Sequence, residues 1–431
     1  MATDTVREQR PSEPPLRRNR DVLLLVTANA LSLTGNAALP IGLSFAVLDM
    51  TGRAQDVALV LMAETVPMVL LILLGGVWAD RVDRCRLMIA ADLVRAAAAL
   101  LSGVLLLSGS SSVPSLAALM VVYGAASAFF QPAVAGLLPS LTDGSQQLQR
   151  ANGLMMAVSG TTWIVGPALA SLLIALQGPG AVLVFDGLTF LASGAAVAAI
   201  RRRRAARPGV RVDARAAEGD SGTSMWRDLI TGWQEFTARS WVWLTIASVG
   251  VMFALVIAPL NSLGPIVAKT AWDGSASWAV IVASLSAGRV LGGVTAMFWL
   301  PRKALFWACA AVALQATATA ALAGSASLAL VVATNVAGGF GVGYFLTAWG
   351  VMLQQWIPAD RLSRVNSYDW FGSLLAMPLG YLLVALVVDR LGVSTVLWGA
   401  TAAVFVAIVP LLLNREVRRL PRSPEVEGSA R

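Results

Sequence analysis

Glu64 and Arg289 are charged residues set deep within long apolar stretches of this 431-residue sequence. Glu64 lies about 14 Å from the end of its stretch at ~1.5 Å per residue, where ionisation without a partner is costly. A carboxyl group in that position suits a proton carrier, and it equally suits a hydrogen-bonded carboxylate that only fixes packing. Arg289 stands near the middle of another stretch and needs a watery cavity or an acidic partner. It can hold an anionic substrate group, form an ion pair that breaks during a working cycle, or make a static bond between helices. Asp92 and Arg95 are three residues apart, a spacing that pairs them on one helix in a structural role. Asp186 and Asp369 fall nearer the ends of their stretches and read as helix-start or interface residues.

Uncharged polar residues inside the stretches, Asn36, Gln131, Asn261, Asn335 and Gln354, are candidate donors and acceptors for a cavity. Of the 14 tryptophans, Trp163, Trp349 and Trp370 lie where they can stack on a bulky amphipathic substrate, although most tryptophans in such a sequence serve as interfacial anchors or packing. The sequence holds no histidine and two cysteines, Cys85 and Cys309, read as free thiols. Neither these nor the carboxylates have metal-site spacing, so no metal, cofactor or enzyme centre is expected. Ala268-Lys269-Thr270 lacks the glycines of a phosphate-binding loop, which argues against ATP hydrolysis.

What must position these residues follows from composition. Hydrophobic residues are 57% of the chain and charged ones 13%, too little polar surface for a water-soluble protein of this length. Apolar segments of roughly 20 residues recur throughout, which is the length of membrane-spanning helices and too long for barrel strands. Twelve spans are expected, at about 22–48, 56–79, 87–108, 115–138, 152–176, 180–200, 241–263, 276–299, 304–323, 327–353, 366–388 and 393–413. With both termini cytoplasmic, 27 of the 32 lysines and arginines fall on the cytoplasmic side; only Arg53, Lys269 and Arg390 fall outside, and Arg95 and Arg289 within spans. That bias fits an even number of crossings in a bacterial inner membrane. It also reads the net charge of +8 as contact with membrane lipid, not nucleic acid. The first span follows a Pro- and Arg-rich stretch of about 20 residues and is not expected to be a cleaved signal peptide.

The fold class expected is an all-α membrane protein of twelve transmembrane helices in two pseudo-symmetric six-helix bundles. The divisions are a cytoplasmic tail (1–20), a first bundle (21–200), a cytoplasmic linker (201–240), a second bundle (241–414) and a cytoplasmic tail (415–431). Within the linker, Trp226, Leu229, Ile230, Trp233 and Phe236 have helical spacing, as for a short helix lying on the membrane surface. An internal repeat supports duplication. Tyr123-Gly124 through Phe130, then Leu138-Pro139 and Arg150-Ala151-Asn152-Gly153, return as Gly343-Tyr344-Phe345, Ile357-Pro358 and Arg364-Val365-Asn366-Ser367.

The segment Gly76-Val77-Trp78-Ala79-Asp80-Arg81-Val82-Asp83-Arg84-Cys85-Arg86 resembles the signature loop of the major facilitator superfamily, with Asp83 where the pattern has Gly. The resemblance implies a major facilitator fold and a cytoplasmic gate built on Gly76, Asp80, Arg81, Arg84 and Arg86, with Asp80 near Asn366 to Asp369. Gly35-Asn36, Leu39-Pro40, Ala91-Asp92-Leu93-Val94-Arg95, Gln131-Pro132-Ala133, Gly166-Pro167 and Pro378-Leu379-Gly380 are similar to the exporter branch that contains enterobactin exporters and macrolide-efflux proteins. Gly166 and Pro167 match a helix-bend motif of antiporters, while Ala170-Ser171 and Asn36 depart from residues common in that branch. The resemblance implies export through alternating access and, together with Glu64, proton antiport; few buried charges and an apolar helix set favour a small, moderately hydrophobic molecule (a drug, natural product or siderophore) as cargo, and the expected protein is a monomer whose partners are that molecule, protons and lipid. Uptake or facilitated diffusion of a small metabolite, or a receptor role without flux, are the alternatives.

Overall fold

The structure, a computed structural model, describes residues 19–421 except 143, 207–238 and 358, and among them the side chains of all but 73, 76, 77, 79, 80, 145 and 359–374. The two tails' outer parts and the expected surface helix at 226–236 lie outside the described residues.

Twelve long helices run back and forth among the described residues: α1 (Arg20–Thr51), α2 (Ala54–Arg81), α3 (Arg84–Leu107), α4 (Val113–Ser140), α5 (Ser145–Gln177), α6 (Pro179–Ala205), α7 (Ser240–Ala271), α8 (Ser275–Phe298), α9 (Ala304–Ala323), α10 (Leu328–Trp356), α11 (Ala359–Leu391) and α12 (Val393–Leu413), followed by a single turn, α13 (Arg415–Arg419). Several overrun the expected spans because their ends are set by polar caps, not by the limits of the apolar run. Asn19 accepts a hydrogen bond from Val22 N at the start of α1, Asp83 from Arg86 N at the start of α3, and Ser112 and Ser115 form a reciprocal capping box on α4. A helix of 33 residues such as α5 is about 50 Å long, against a hydrocarbon thickness of about 30 Å.

The chain thereby has two faces. One carries Arg20, Arg81, Arg84, Arg86, Arg201 to Arg204 and Arg302; the other carries tight turns such as that at Gly52, whose φ is +68°.

The two halves repeat one packing scheme. In the first, α2 lies on α4, α3 on α6, and α1 on α5 and α6; in the second, α8 lies on α10, α9 on α12, and α7 on α11 and α12. Glycine makes the central pair of each half possible. A Cβ on Gly124 would collide with the carbonyl oxygen of Glu64, and one on Gly343 with that of Arg289. These are the glycines of the sequence repeat, so the duplication seen in the sequence is a duplicated backbone contact. Helix α7 contains a π-helical turn, Phe253–Ile257, where Gly380 of α11 packs against the Ala254 carbonyl.

Buried apolar residues form three cores. One unites the halves toward the Gly52 face, joining Leu43, Val57, Leu61 and Val182 to Leu263, Trp278, Tyr381 and Val388. Toward the arginine-rich face the described residues of the halves form separate cores, one around Leu25, Met88, Phe130 and Ile200 and another around Trp241, Leu305, Met352 and Leu411.

Candidate substrate and proton site

Glu64 stands ten residues into α2 from the Gly52 face, about 15 Å deep. Tyr123 on α4 and Tyr381 on α11 reach the same level. Glu64 is half-buried, and no described residue hydrogen-bonds or ion-pairs with it. Its electrostatic neighbours are Tyr123 and Asp186 of the first half and Tyr381 of the second. Asn261, one turn beyond the π-helical turn, donates from Nδ2 to the Tyr381 hydroxyl at 3.3 Å, so Glu64 faces a polar pair contributed by α7 and α11.

Behind Glu64 the interior of the first half is charged. Asp92 and Arg95 form a buried ion pair, as the three-residue spacing predicts. The Arg95 guanidinium is also sandwiched between the rings of Phe130 and Phe190, at 4.4 and 4.1 Å from their centroids, which offsets part of the cost of removing it from water. Asn36 accepts a hydrogen bond from the Tyr123 hydroxyl at 2.8 Å. Asp186, expected at a helix start or interface, is two turns inside α6 and fully buried at its interface with α1. It lies beside Arg95, Tyr123, Glu64 and Asp92. Only its position on the wheel of α6, aimed at α1 and α3, separates it from an end-of-helix residue, and the sequence alone does not give that angle.

In the second half, Arg289 lies about 14 residues into α8. On that helix Val290, Leu291 and Val294 are exposed, while Gly288 and Gly292 press on α10 and Ser286 donates to the Trp163 carbonyl of α5 at 3.0 Å. At ~100° per residue Arg289 falls between the α10 and α5 contacts, on the interior side. No described carboxylate pairs with it, and its Nε has no hydrogen-bond partner.

The remaining candidates divide. Trp163 is exposed beside Arg289's helix, and Gln131 and Gln354 are exposed, the latter within a turn of the arginine-rich end of α10. Asn335 is buried and donates to the Val331 carbonyl of its own helix at 2.8 Å. Trp349 is buried in the second half's core, edge-on to Trp241 and stacked on Phe345. Gly166 allows α5 to meet α1 at Thr34 and Ala37, with Pro167 next to it inside the helix.

Of the expected gate residues, the side chains of Gly76 and Asp80 and those of Asn366 to Asp369 lie outside the described set. Arg81 and Arg86 are exposed at the arginine-rich face. Arg84 reaches back to the Gly136 carbonyl at 2.9 Å, tying the loop to α4, and Asp83 caps α3 while facing Arg201 at 3.9 Å.

Between the Gly52 face and mid-depth, polar contacts join the two halves: Arg53 with Asp389 at 2.9 Å, Lys269 with Asp49, Ser171 Oγ with the Ser275 carbonyl at 2.6 Å, and Ser286 with the Trp163 carbonyl at 3.0 Å.

Two pseudo-symmetric helical bundles that share one core toward the Gly52 face and, among the described residues, have separate cores toward the other, around a charged mid-layer, define a multi-pass membrane transporter. The family model described as Major Facilitator Superfamily matches residues 25–324, and the chain belongs to that superfamily; it is a transporter of small molecules and not an enzyme. It is 26% identical over 399 residues to macrolide efflux protein A of Streptococcus pyogenes, covering 91% of this chain and 95% of that one. It is 30% identical over 195 residues to the multidrug efflux pump Tap of Mycolicibacterium fortuitum, covering 44% and 47%. Among solved structures, a bacterial homologue of the iron transporter ferroportin in its inward-facing state superposes with a TM-score of 0.71 at 18% identity, over 92% of this chain and 98% of that one. The outward-facing state of that homologue gives 0.59, over 90% and 98%.

Proposed function

We propose that this protein exports a small, moderately hydrophobic molecule of the drug or natural-product kind across a bacterial inner membrane, by proton antiport. The observation that carries alternating access is the division of the cores, one shared toward the Gly52 face and two separate toward the arginine-rich face. With the arginine-rich face and both termini on the cytoplasmic side, as cationic loop residues favour, this is a cargo-loading state open to the cell interior. The better superposition on an inward-facing structure supports the same reading.

Export is supported by the relatives, which are efflux proteins. Coupling to protons rests on Glu64, an unpaired carboxyl group at mid-depth facing both halves. Arg289 serves as a cargo anchor for an anionic or carbonyl-rich group, and Trp163 as a stacking surface beside it. The gate at Asp80, the surface helix of the linker, the domain limits and a monomeric, lipid-embedded state complete the proposal.

The test uses radiolabelled erythromycin, a macrolide of the class for which the efflux relatives are named, together with an untargeted comparison of medium from cells with and without the gene. Accumulation in cells should fall when the protein is expressed and recover when the proton gradient is collapsed. Efflux unchanged by that collapse overturns proton coupling, and cargo accumulating inside expressing cells overturns export.

A further inference from the structure

The first half holds three carboxyl groups at mid-depth, Glu64, Asp92 and Asp186, against one guanidinium, Arg95. Asp92 takes Arg95 directly in the ion pair, and Glu64 is half-buried. Asp186 is fully buried, with no ion-pair partner of its own among the described residues and the Tyr123 hydroxyl as its hydrogen-bonding neighbour. The Tyr123 hydroxyl lies within hydrogen-bonding reach of both Asn36 Oδ1 on α1, at 2.8 Å, and the Asp186 carboxyl group, and its single hydrogen can serve only one of them at a time. A bare carboxylate in that position would take the tyrosine hydrogen for itself, because a charged acceptor in a low-dielectric interior outcompetes an amide oxygen.

Among the described residues, the helices packed around Asp186 bring no other counter-charge. Helix α3 supplies Asp92 and Arg95, α2 supplies Glu64, and α4 supplies Tyr123. Helix α1 presents Gly35 and Asn36, and α5 has Arg150 near its arginine-rich end as its one titratable group. Gly35 lies so close that a Cβ there would collide with the Asp186 carboxyl oxygen and Thr189 Oγ1. Any change at Asp186 is thus felt directly by α1.

We propose that Asp186 holds the transported proton in this conformation and that Tyr123 converts its loss into release of α1. The proposal rests on the proton-antiport reading and assigns the group that does the storing. With Asp186 protonated, its O–H donates to the Tyr123 oxygen while the tyrosine O–H donates to Asn36. When the proton leaves to Glu64, whose half-buried carboxylate accepts it, the Tyr123 O–H turns to the Asp186 carboxylate and Asn36 loses its donor. One proton moves from Asp186 to Glu64, and the tyrosine keeps its own. Glu64 is then the exchange point facing both halves, and Asp186 the store.

Infrared spectroscopy of the purified full-length protein in detergent tests this without knowledge of the cargo. At neutral pH the wild type should show the carbonyl-stretch band of a protonated carboxylic acid. The band should be absent from Asp186→Asn and present in both Glu64→Gln and Asp92→Asn. To free the test from the folding of Asp186→Asn, the wild type is also made with aspartate labelled with carbon-13 in its side-chain carboxyl; the band must shift with aspartate labelling and stay fixed with glutamate labelling. A band that survives Asp186→Asn, or that responds to glutamate labelling, overturns the assignment. Failure of proton coupling itself would show separately, as wild-type efflux indifferent to the proton gradient.

Discussion

The Tyr123 hydroxyl donates to Asn36 Oδ1 at 2.8 Å, joining α4 to α1 across the interior of the first half. Removing the hydroxyl in Tyr123→Phe should cost about 1 kcal/mol of stability, read as a modest fall in the melting temperature of the detergent-solubilised protein. The larger effect is expected in efflux, where proton flux and cargo flux lose their fixed ratio. A variant with wild-type coupling would mean that the bond is packing alone.

Arg289 has no described carboxylate partner. Breaking a buried ion pair strands the other charge and costs about 3–5 kcal/mol, so Arg289→Ala should cost much less than that, and stability should hold or rise. Efflux of an anionic dye should fall while that of an uncharged one persists, and Arg289→Lys should recover part of the loss. A melting temperature that collapses in Arg289→Ala would instead indicate a static bond.

The Ser171 hydroxyl donates to the Ser275 carbonyl at 2.6 Å where α5 meets α8 near the Gly52 face. Cysteines at both positions, cross-linked by a mild oxidant, should arrest efflux, with recovery on reduction. Cys85 and Cys309 are buried, which keeps background cross-linking low. Undiminished efflux by the cross-linked protein would show that this face does not need to part.

Gly124 and Gly343 press on the carbonyls of Glu64 and Arg289. Overpacking costs about 1–3 kcal/mol, more where backbone is struck. Gly124→Val and Gly343→Val should therefore each lower the melting temperature, whereas Gly350→Val, at a position with open space around it, should not. Equal tolerance at all three sites would contradict the close approach.

Much of this architecture was legible before any coordinates. Apolar lengths and cationic loops gave twelve crossings because hydrocarbon thickness and the membrane's charge preference act on short, local stretches of sequence. The Asp92–Arg95 pair was legible for the same reason, being set by spacing on one helix. For Asp186 the sequence reads a helix start or an interface; that it is the interface, two turns in and buried, depends on which side of α6 meets α1, an angle fixed by packing between helices distant in sequence. Trp349 and Asn335 looked like cavity residues by depth, yet one packs in a core and the other bonds its own helix. Asp83, a departure from the family loop, was visible as an oddity; its use as the cap of α3 needed the backbone.

Glu64 and Arg289 occupy equivalent helices of the duplicated halves, each with a repeat glycine against its carbonyl. The ancestral symmetry therefore survives in the backbone and is broken in electrical sign. On the export cycle proposed above, a passenger between the bundles meets a carboxyl group on one side and a guanidinium on the other, so its own dipole would select a heading even where greasy contacts leave it free to turn.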